Sequence, residues 1–451
     1  MMMLKLCGLP SGVFSRKRKR MIFLKISSMP LPKLMEDILK KIPSPEQVHD
    51  WKINSQQYID PIQTELRERL QTPLEILSSG SSVERFGISQ DNKKQEAYGV
   101  LLCNWIKRVY CFCYPWGVSY SSLMTDHDVM LIPRDMTVSF EHAKSTFCAM
   151  TSKESAPSQS IPVGFAHVFS NSYDMPSRFR ELCVDHDGNM CLSNRLVKNV
   201  MFSVIDNMPE DIFPSECADS FVDFTHPAAI DVYIRGPSIG CKIYPLCQVC
   251  VWHENQEIVR FEGDFIFSLR CLEWPHCADK WITRNRFWPN HYVIQKIVNK
   301  RCLLVPRPSD NHPNSELEWR ISFSEAEVIL SKYIPDSARR VFLALKIIYK
   351  DHLKFVYPGL KTYHLKTLFY WEMEKHSLSY WNEEDCDEMF LTLLTKLQCC
   401  IAENYLSHYW IDGVNLFENF DKKSCKDLCT LLSKVIEKPE PYVFDIASSW
   451  C

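Results

Sequence analysis

Apolar residues recur three to four positions apart at Leu34, Ile38 and Ile42, and again at Ile62, Leu66 and Leu70, with Pro43 and Pro45 between the two sets. That spacing lays a stripe along one side of a helix, so it predicts one or two long amphipathic helices between Pro32 and Ser79. They run into Ser78-Ser79-Gly80-Ser81-Ser82, a loop of small polar residues. From Asp126 to Trp288 the pattern changes to short apolar runs, Val129 to Ile132, Ile230 to Ile234 and Phe265 to Leu269, set in stretches rich in Pro, Ser and Asp. These read as strands of an α/β or α+β unit. Beyond Val305-Pro306 helical spacing returns in Ala338 to Leu353, Tyr363 to Met373 and Glu384 to Leu406. Ser324-Glu325-Ala326-Glu327 has the form of a capping box, a hydroxyl at the N-cap and a carboxylate three residues on. A boundary between the two halves is expected near residues 290 to 300, and no internal repeat is visible.

Composition narrows this picture without redirecting it. A chain of 451 residues with 13 glycines and 12% aromatic residues is long enough for two or three domains and favours helices and filled interiors over a turn-rich all-β fold. The net charge of -3 gives no global attraction to nucleic acid or membrane, so any basic surface is local. The 20 cysteines lack the repeating spacing of a secreted disulfide scaffold and read as mostly buried thiols in a reducing compartment. Cys247 and Cys250 make one C-x-x-C, and Cys111 and Cys113 one C-x-C, but neither has a second pair at zinc-ribbon spacing, and no structural zinc is expected. Residues 1–31 form a basic leader around Arg16-Lys17-Arg18-Lys19-Arg20, read as a solvated disordered segment, with nuclear import or polyanion binding as the other use of such a cluster. The apolar part before it is short and broken by Gly8, Pro10 and Gly12, a poor secretory signal, and Lys107 and Arg108 interrupt the apolar stretch Tyr98 to Met124 below spanning length. No membrane-spanning helix is expected, and the chain is expected in the cytoplasm or the nucleus.

The stretch Leu123-Met124-Thr125-Asp126-His127-Asp128-Val129-Met130-Leu131-Ile132 sets two carboxylates one residue apart at the mouth of an apolar run. On a strand they share a face and repel unless a cation lies between them. An Asp-rich turn is the ordinary source of such a tripeptide. The alternative is a magnesium site, because hard oxygen ligands on one strand suit an ion that retains waters until substrate phosphates complete its shell. Asp264, in Gly263-Asp264-Phe265-Ile266-Phe267-Ser268-Leu269, is a third acid, placed at the start of an apolar strand; by itself it reads as a surface or turn acid.

Taken together, Gly80-Ser81, Asp126-x-Asp128 and Asp264 resemble the active site of the polymerase-β-type nucleotidyltransferases. Trp319-Arg320-Ile321-Ser322-Phe323-Ser324, Tyr363-His364-Leu365-Lys366-Thr367, Trp274-Pro275 with Trp281 and Arg284, and Asn404 to Trp410 are similar to segments of the Mab-twenty-one family, which includes cyclic GMP-AMP synthase and the cyclic GMP-AMP synthase-like receptors. The similarity extends over roughly residues 32 to 435. It implies an α+β, bilobal chain: a polymerase-β-like nucleotidyltransferase core of mixed sheet and flanking helices over 32–295, with a long N-terminal helix, then an all-helical HhH/H2TH-like lobe over 296–435 and a tail over 436–451.

The resemblance also implies roles. Asp126, Asp128 and Asp264 would hold magnesium, or manganese in its place, and the Gly80-Ser81 turn would offer backbone N–H groups and a hydroxyl to phosphate oxygens. Arg320 would read the acceptor edge of a purine, Tyr363 would stack on it, and Lys346 and Thr362 would complete the nucleotide site. Read as residues alone, Arg320 equally pairs with Glu318 or caps a helix, Tyr363 fits a core, and Lys346 fits a solvated helix face shared with Lys350. The substrates implied are ATP and GTP, the product a cyclic dinucleotide formed in two steps with loss of two pyrophosphates, and the activator a double-stranded RNA or DNA. The oligomeric state is not implied.

Two departures bear on this. Ile334-Pro335-Asp336-Ser337 connects two helices directly where cyclic GMP-AMP synthase carries a zinc insertion, so a DNA-clamping zinc thumb is not expected. Between Ser81 and Asp126 the chain carries an apolar insert, about 95–120, which reads as a retained intron in preference to a lid over the triphosphate loop, with Met29 as an alternative start. The competing function is a catalytically silent family member acting as a binding or developmental scaffold. The full acid set favours the enzyme.

Overall fold

The computed structural model describes residues 30–39, 45–79, 83–84, 127–141, 145–152, 161–170, 176–209, 212, 229–244, 261–313 and 315–443. The basic leader, the insert at 95–120, Cys111, Cys113, Cys247 and Cys250, and the tail from 444 lie outside them.

The chain enters through α1 (Leu31–Leu39) and α2 (Pro45–Leu70), with the break at the prolines that the sequence predicts. Leu34, Ile62, Leu66 and Leu70 are buried, each at most 2% exposed, so the apolar stripe is the packed side. Next comes β1 (Leu74–Ser79), paired antiparallel with β2 (His127–Pro133). Then come β3 (Thr137–Ser139), β4 (Phe147–Thr151), β5 (Phe165–Ser170) and the hairpin β6 (Cys183–His186) and β7 (Asn189–Leu192). Helix α3 (Asn194–Asp206) follows, with the Ser193 hydroxyl accepting the Leu196 N–H as its N-cap. A second hairpin, β8 (Ala229–Arg235) and β9 (Ser238–Tyr244), precedes β10 (Phe261–Phe267), β11 (Leu269–Cys271), α4 (His291–Lys300), β12 (Leu303–Val305) and β13 (Glu318–Ser322). The remainder is helical: α5 (Ser324–Ser331), α6 (Asp336–Ile348), α7 (Thr362–Lys375), α8 (Cys386–Ala402) and α9 (Lys422–Glu437).

Two sheets carry the first lobe. One has five strands in the order β1-β2-β10-β9-β8. The other runs β13-β12-β11-β3-β4-β5-β7-β6, and because β13 also pairs with β5, six of its strands close a ring. A closed ring leaves those strands no free edge. The chain passes between the sheets where β10 ends: the Ser268 N–H donates to the Leu131 carbonyl at 2.9 Å, and β11 then joins the other sheet.

Alternation sorts the five-stranded sheet into two unlike faces. Val129, Leu131, Phe265 and Phe267, all at most 1% exposed, enter the main core. Phe261, on that same side of β10, stacks on Tyr58 of α2 at 5.2 Å between ring centroids. The opposite side carries Met130, Ile132 and Ile266, which form a small separate apolar cluster with Leu303 and Val305. Asp128 and Asp264 stand on this second side, and Asp264 is in the middle of β10, not at the start of a strand as the apolar run Phe265 to Leu269 suggests.

The structure corrects two further expectations. Strands β12 and β13 extend the sheets beyond residue 296, and an expected division at 295–296 would cut through α4. The capping box at Ser324 does not form: helix α5 has Phe323 as its N-cap residue with no side-chain cap, the Ser324 hydroxyl meets Ser322 Oγ at 2.8 Å, and Glu327 turns away to Lys366. An ammonium is a stronger partner for that carboxylate than a backbone N–H. No described helix is long and apolar enough to cross a membrane.

Candidate active site

The site begins with strand register. Asp128 of β2 is paired with Asp264 of the parallel strand β10, and with Ser79 of the antiparallel strand β1. The row continues through Gly240 of β9 to Tyr233 of β8. Paired residues on neighbouring strands point to the same face, so two carboxylates separated by 136 positions in the chain come abreast, with strands spaced roughly 4.8 Å apart. Both are half-buried. Gly240 is needed in this row: a Cβ there would lie 2.3 Å from the Tyr233 ring, which covers the gap beside Asp264.

Two carboxylates abreast on adjacent strands, at the rim of a small apolar cluster, are a donor set suited to a hard divalent cation. No group of three or more His, Cys, Asp or Glu able to hold a metal ion is present among the described residues. Asp126, the third acid expected, lies outside them, as do Gly80 and Ser81. What is described on either side of Gly80-Ser81 is Ser79, abreast of Asp128, and Val83-Glu84.

A second group of expected residues lies on β13, α6 and α7. Arg320 sits between buried Trp319 and Ile321, and its pKa is lowered to about 10, first by burial and then by the nearby Arg307. It does not pair with Glu318, whose carboxylate accepts the Ser309 N–H at 2.7 Å and meets His312 Nδ1 at 2.6 Å. Tyr363 is half-buried, and its hydroxyl lies 3.0 Å from His408 Nε2. Burial first, then Glu327, pushes the Tyr363 hydroxyl pKa up, while the Arg320 charge opposes them. Thr362 opens α7, half-buried, with its side chain hydrogen-bonded to Tyr349. Lys346 is 5% exposed, whereas Lys350 is exposed, so the two share no solvated face. The Lys346 charge is felt at Glu84.

His408 is a residue that sequence reasoning did not single out. Its Nδ1 accepts N–H groups from Trp410 at 3.1 Å and Ile411 at 3.0 Å, which leaves Nε2 as the protonated nitrogen donating to Tyr363. Burial, then the Arg320 charge, lowers its pKa to about 3. The family-like stretch Asn404 to Trp410 contains it, but its role depends on a contact across 45 positions that no local pattern reveals.

Glu84 joins the two groups. Lys366 of α7, one turn beyond Tyr363, donates to both of its carboxylate oxygens at 3.2 and 3.1 Å. Ser79 and Glu84 are five residues apart, a separation that extended chain spans in at most roughly 18 Å. The acid row of the five-stranded sheet therefore lies within roughly 18 Å of Glu84, which is bonded to Lys366 one turn from Tyr363.

A chain of this kind, with strand carboxylates paired in a mixed sheet and a helical lobe that follows it, has the architecture of a nucleotidyltransferase. The sequence profile of the Mab-21 protein nucleotidyltransferase domain matches residues 141–331, and that of the Mab-21 protein HhH/H2TH-like domain matches residues 338–434. Together they cover more than half of the chain, which belongs to the Mab-21 family. Asp264 and Arg320 lie inside the first match and Lys346, Thr362 and Tyr363 inside the second, while Asp128 precedes both.

Among individual proteins, the chain is 27% identical over 174 residues to protein mab-21-like 3 of Danio rerio, covering 38% of this chain and 43% of that one. It is 23% identical over 202 residues to protein male abnormal 21 of Caenorhabditis elegans, covering 41% and 55%. It is 28% identical over 125 residues to a cyclic GMP-AMP synthase-like receptor of Ctenocephalides felis, covering 26% and 28%. The chain thus spans about half the length of the first two relatives and little over a quarter of the third.

Proposed function

We propose that this protein is a divalent-metal-dependent nucleotidyltransferase that joins ATP and GTP into a cyclic dinucleotide messenger, as a nucleic-acid-activated innate immune sensor. The observation that carries the reading is the register of Asp128 with Asp264, which sets two ligand-type carboxylates side by side; we read the space between them and Tyr363 and Arg320 as the nucleotide cleft. Fold and family support a transferase; the cyclic product is taken from the likeness to the Ctenocephalides felis receptor.

Asp128 and Asp264, with Asp126 two residues before Asp128 in the chain, would hold magnesium or manganese; when bound, the ion neutralises triphosphate charge and lowers the pKa of the attacking ribose hydroxyl. The protein's own part is positioning. Tyr363, braced by the His408 imidazole, presents an aromatic face against which a base can stack, and Arg320 offers a planar donor fork to a purine acceptor edge. Lys346, whose charge reaches Glu84, would supply a cation for triphosphate oxygens. In two successive turns of the same chemistry, a ribose hydroxyl attacks an α-phosphorus and pyrophosphate leaves, first to a linear product and then to the ring.

Helix α2 carries five carboxylates against three Lys or Arg, so its net charge is not what would draw a duplex. The deciding experiment is incubation of purified protein with ATP, GTP and magnesium, with and without duplex RNA or DNA. A phosphatase-resistant dinucleotide is expected, and Asp128→Asn or Asp264→Asn is expected to lower its rate by at least about a hundredfold. Intact, folded protein that makes no product with any duplex would instead favour the scaffold reading.

A further inference from the structure

Glu84 is 1% exposed and is held by two helices at once. Its carboxylate takes both contacts from Lys366 of α7, and the same ammonium reaches Glu327 Oε2 of α5 at 2.5 Å. Its main-chain carbonyl accepts Arg339 Nη1 of α6 at 2.5 Å, and Arg339 also bonds the Ser331 carbonyl at the end of α5. Two carboxylates share the Lys366 ammonium away from water, and the desolvation of such a group offsets much of its attraction, so its net contribution to stability is small. Burial pushes the Glu84 pKa up and Glu327 adds to that, against the opposing charges of Lys366 and Lys346. What a charge-assisted hydrogen bond supplies that an apolar contact does not is direction toward one partner.

The position is informative because of where the chain has just been. Ser79 belongs to the acid row with Asp128 and Asp264, and Glu84 follows five residues later. We propose that Glu84 is a positioning residue: bound by Lys366 and Arg339, it anchors the chain leaving β1 to the helical lobe and thereby sets the acid row against the Tyr363 end of α7. The assignment rests on the reading of that cleft as a nucleotidyl-transfer site. Nothing in it requires Glu84 to touch nucleotide.

The test uses the full chain carrying Glu84→Gln, which keeps shape and loses charge, beside Glu84→Asp and Lys366→Arg, which keep the charge pair. Three quantities are read: amide hydrogen exchange in peptides ending at Glu84, kcat and KM for nucleotide, and Tm. Glu84→Gln is expected to speed local exchange by about tenfold or more, the weight of a charge-assisted hydrogen bond, and to lower kcat by a larger factor than it raises KM. Lys366→Arg is expected to retain most of both. Exchange at Glu84 that matches wild type in Glu84→Gln overturns the proposal, as does a fall in Tm with local exchange unchanged. If wild-type protein makes no product, the reading of the cleft fails, and the exchange comparison still decides whether Glu84 is an anchor.

Discussion

At the scale of single residues, His364 and His408 of the helical lobe make a pH-dependent contribution whose direction follows from their bonds. His408 Nδ1 accepts two backbone N–H groups, and His364 Nδ1 accepts the Lys361 N–H at 3.1 Å, so protonating either ring at Nδ1 breaks what it holds. Burial first, then Arg320, lowers His408 to about 3; burial first, then Lys361, lowers His364 to about 4. Both begin from an ordinary value of 6.5, so between those values the unfolded chain binds a proton that the folded chain refuses. The stability they contribute is intact above about pH 6.5 and is lost as pH falls toward 4 and then 3. Melting temperatures at pH 7 and pH 5 should show the drop, and His408→Gln, which still accepts a backbone N–H but does not titrate, should show a smaller one. Equal drops in the two proteins would remove His408 from the account. None of this is visible in the sequence, where His408 is one histidine among 14 and its partners are fixed by the fold.

At the scale of elements, what was legible depended on whether a segment buries one side or both. The stripe Ile62, Leu66 and Leu70 marks α2 because its other side faces water, and Val129 to Ile132 marks β2 because the run is continuous. Strands β3, β4 and β12 are three to five residues long with little or no exposed side, so no alternation announces them. The pairing of Asp128 with Asp264 was legible only through resemblance, since neither strand states which neighbour it takes. Phe265 tests that pairing from behind. It is fully buried on the face opposite Asp264 and lies 6.2 Å from Phe261 between ring centroids. Phe265→Ala is expected to cost about 3–5 kcal/mol by denaturant unfolding, with Phe265→Leu much milder. If β10 is what holds Asp264 beside Asp128, the alanine variant should also lose turnover at temperatures where it remains folded.

At the scale of the whole molecule, the boundary between the two family domains, near residues 331 to 338, is a boundary in sequence and not in packing. Trp410, from the helical side, stacks on Phe323 at 5.0 Å with 12° between the rings and lies 4.7 Å from Trp281, while Trp274 packs against both Phe323 and Trp281. Arg284 and Arg286 reach across to Glu374 of α7 at 2.8 and 3.1 Å, and the Arg284 guanidinium sits 4.0 Å over the Trp371 ring. Removing the helical lobe would expose these aromatic faces and leave two guanidinium groups without their buried carboxylate, each a large cost beside the 5–15 kcal/mol that holds an ordinary domain. Residues 30–331 alone are therefore expected to be aggregation-prone or to lack fixed tertiary structure by near-ultraviolet circular dichroism. The full chain should unfold in one calorimetric transition, and Trp410→Ala should shift that transition without splitting it. Two resolved transitions, or a well-folded fragment, would mean that each lobe stands on its own core. The geometry of the proposed site would then depend on a hinge between separate bodies, and the anchor proposed at Glu84 would have to act across that hinge.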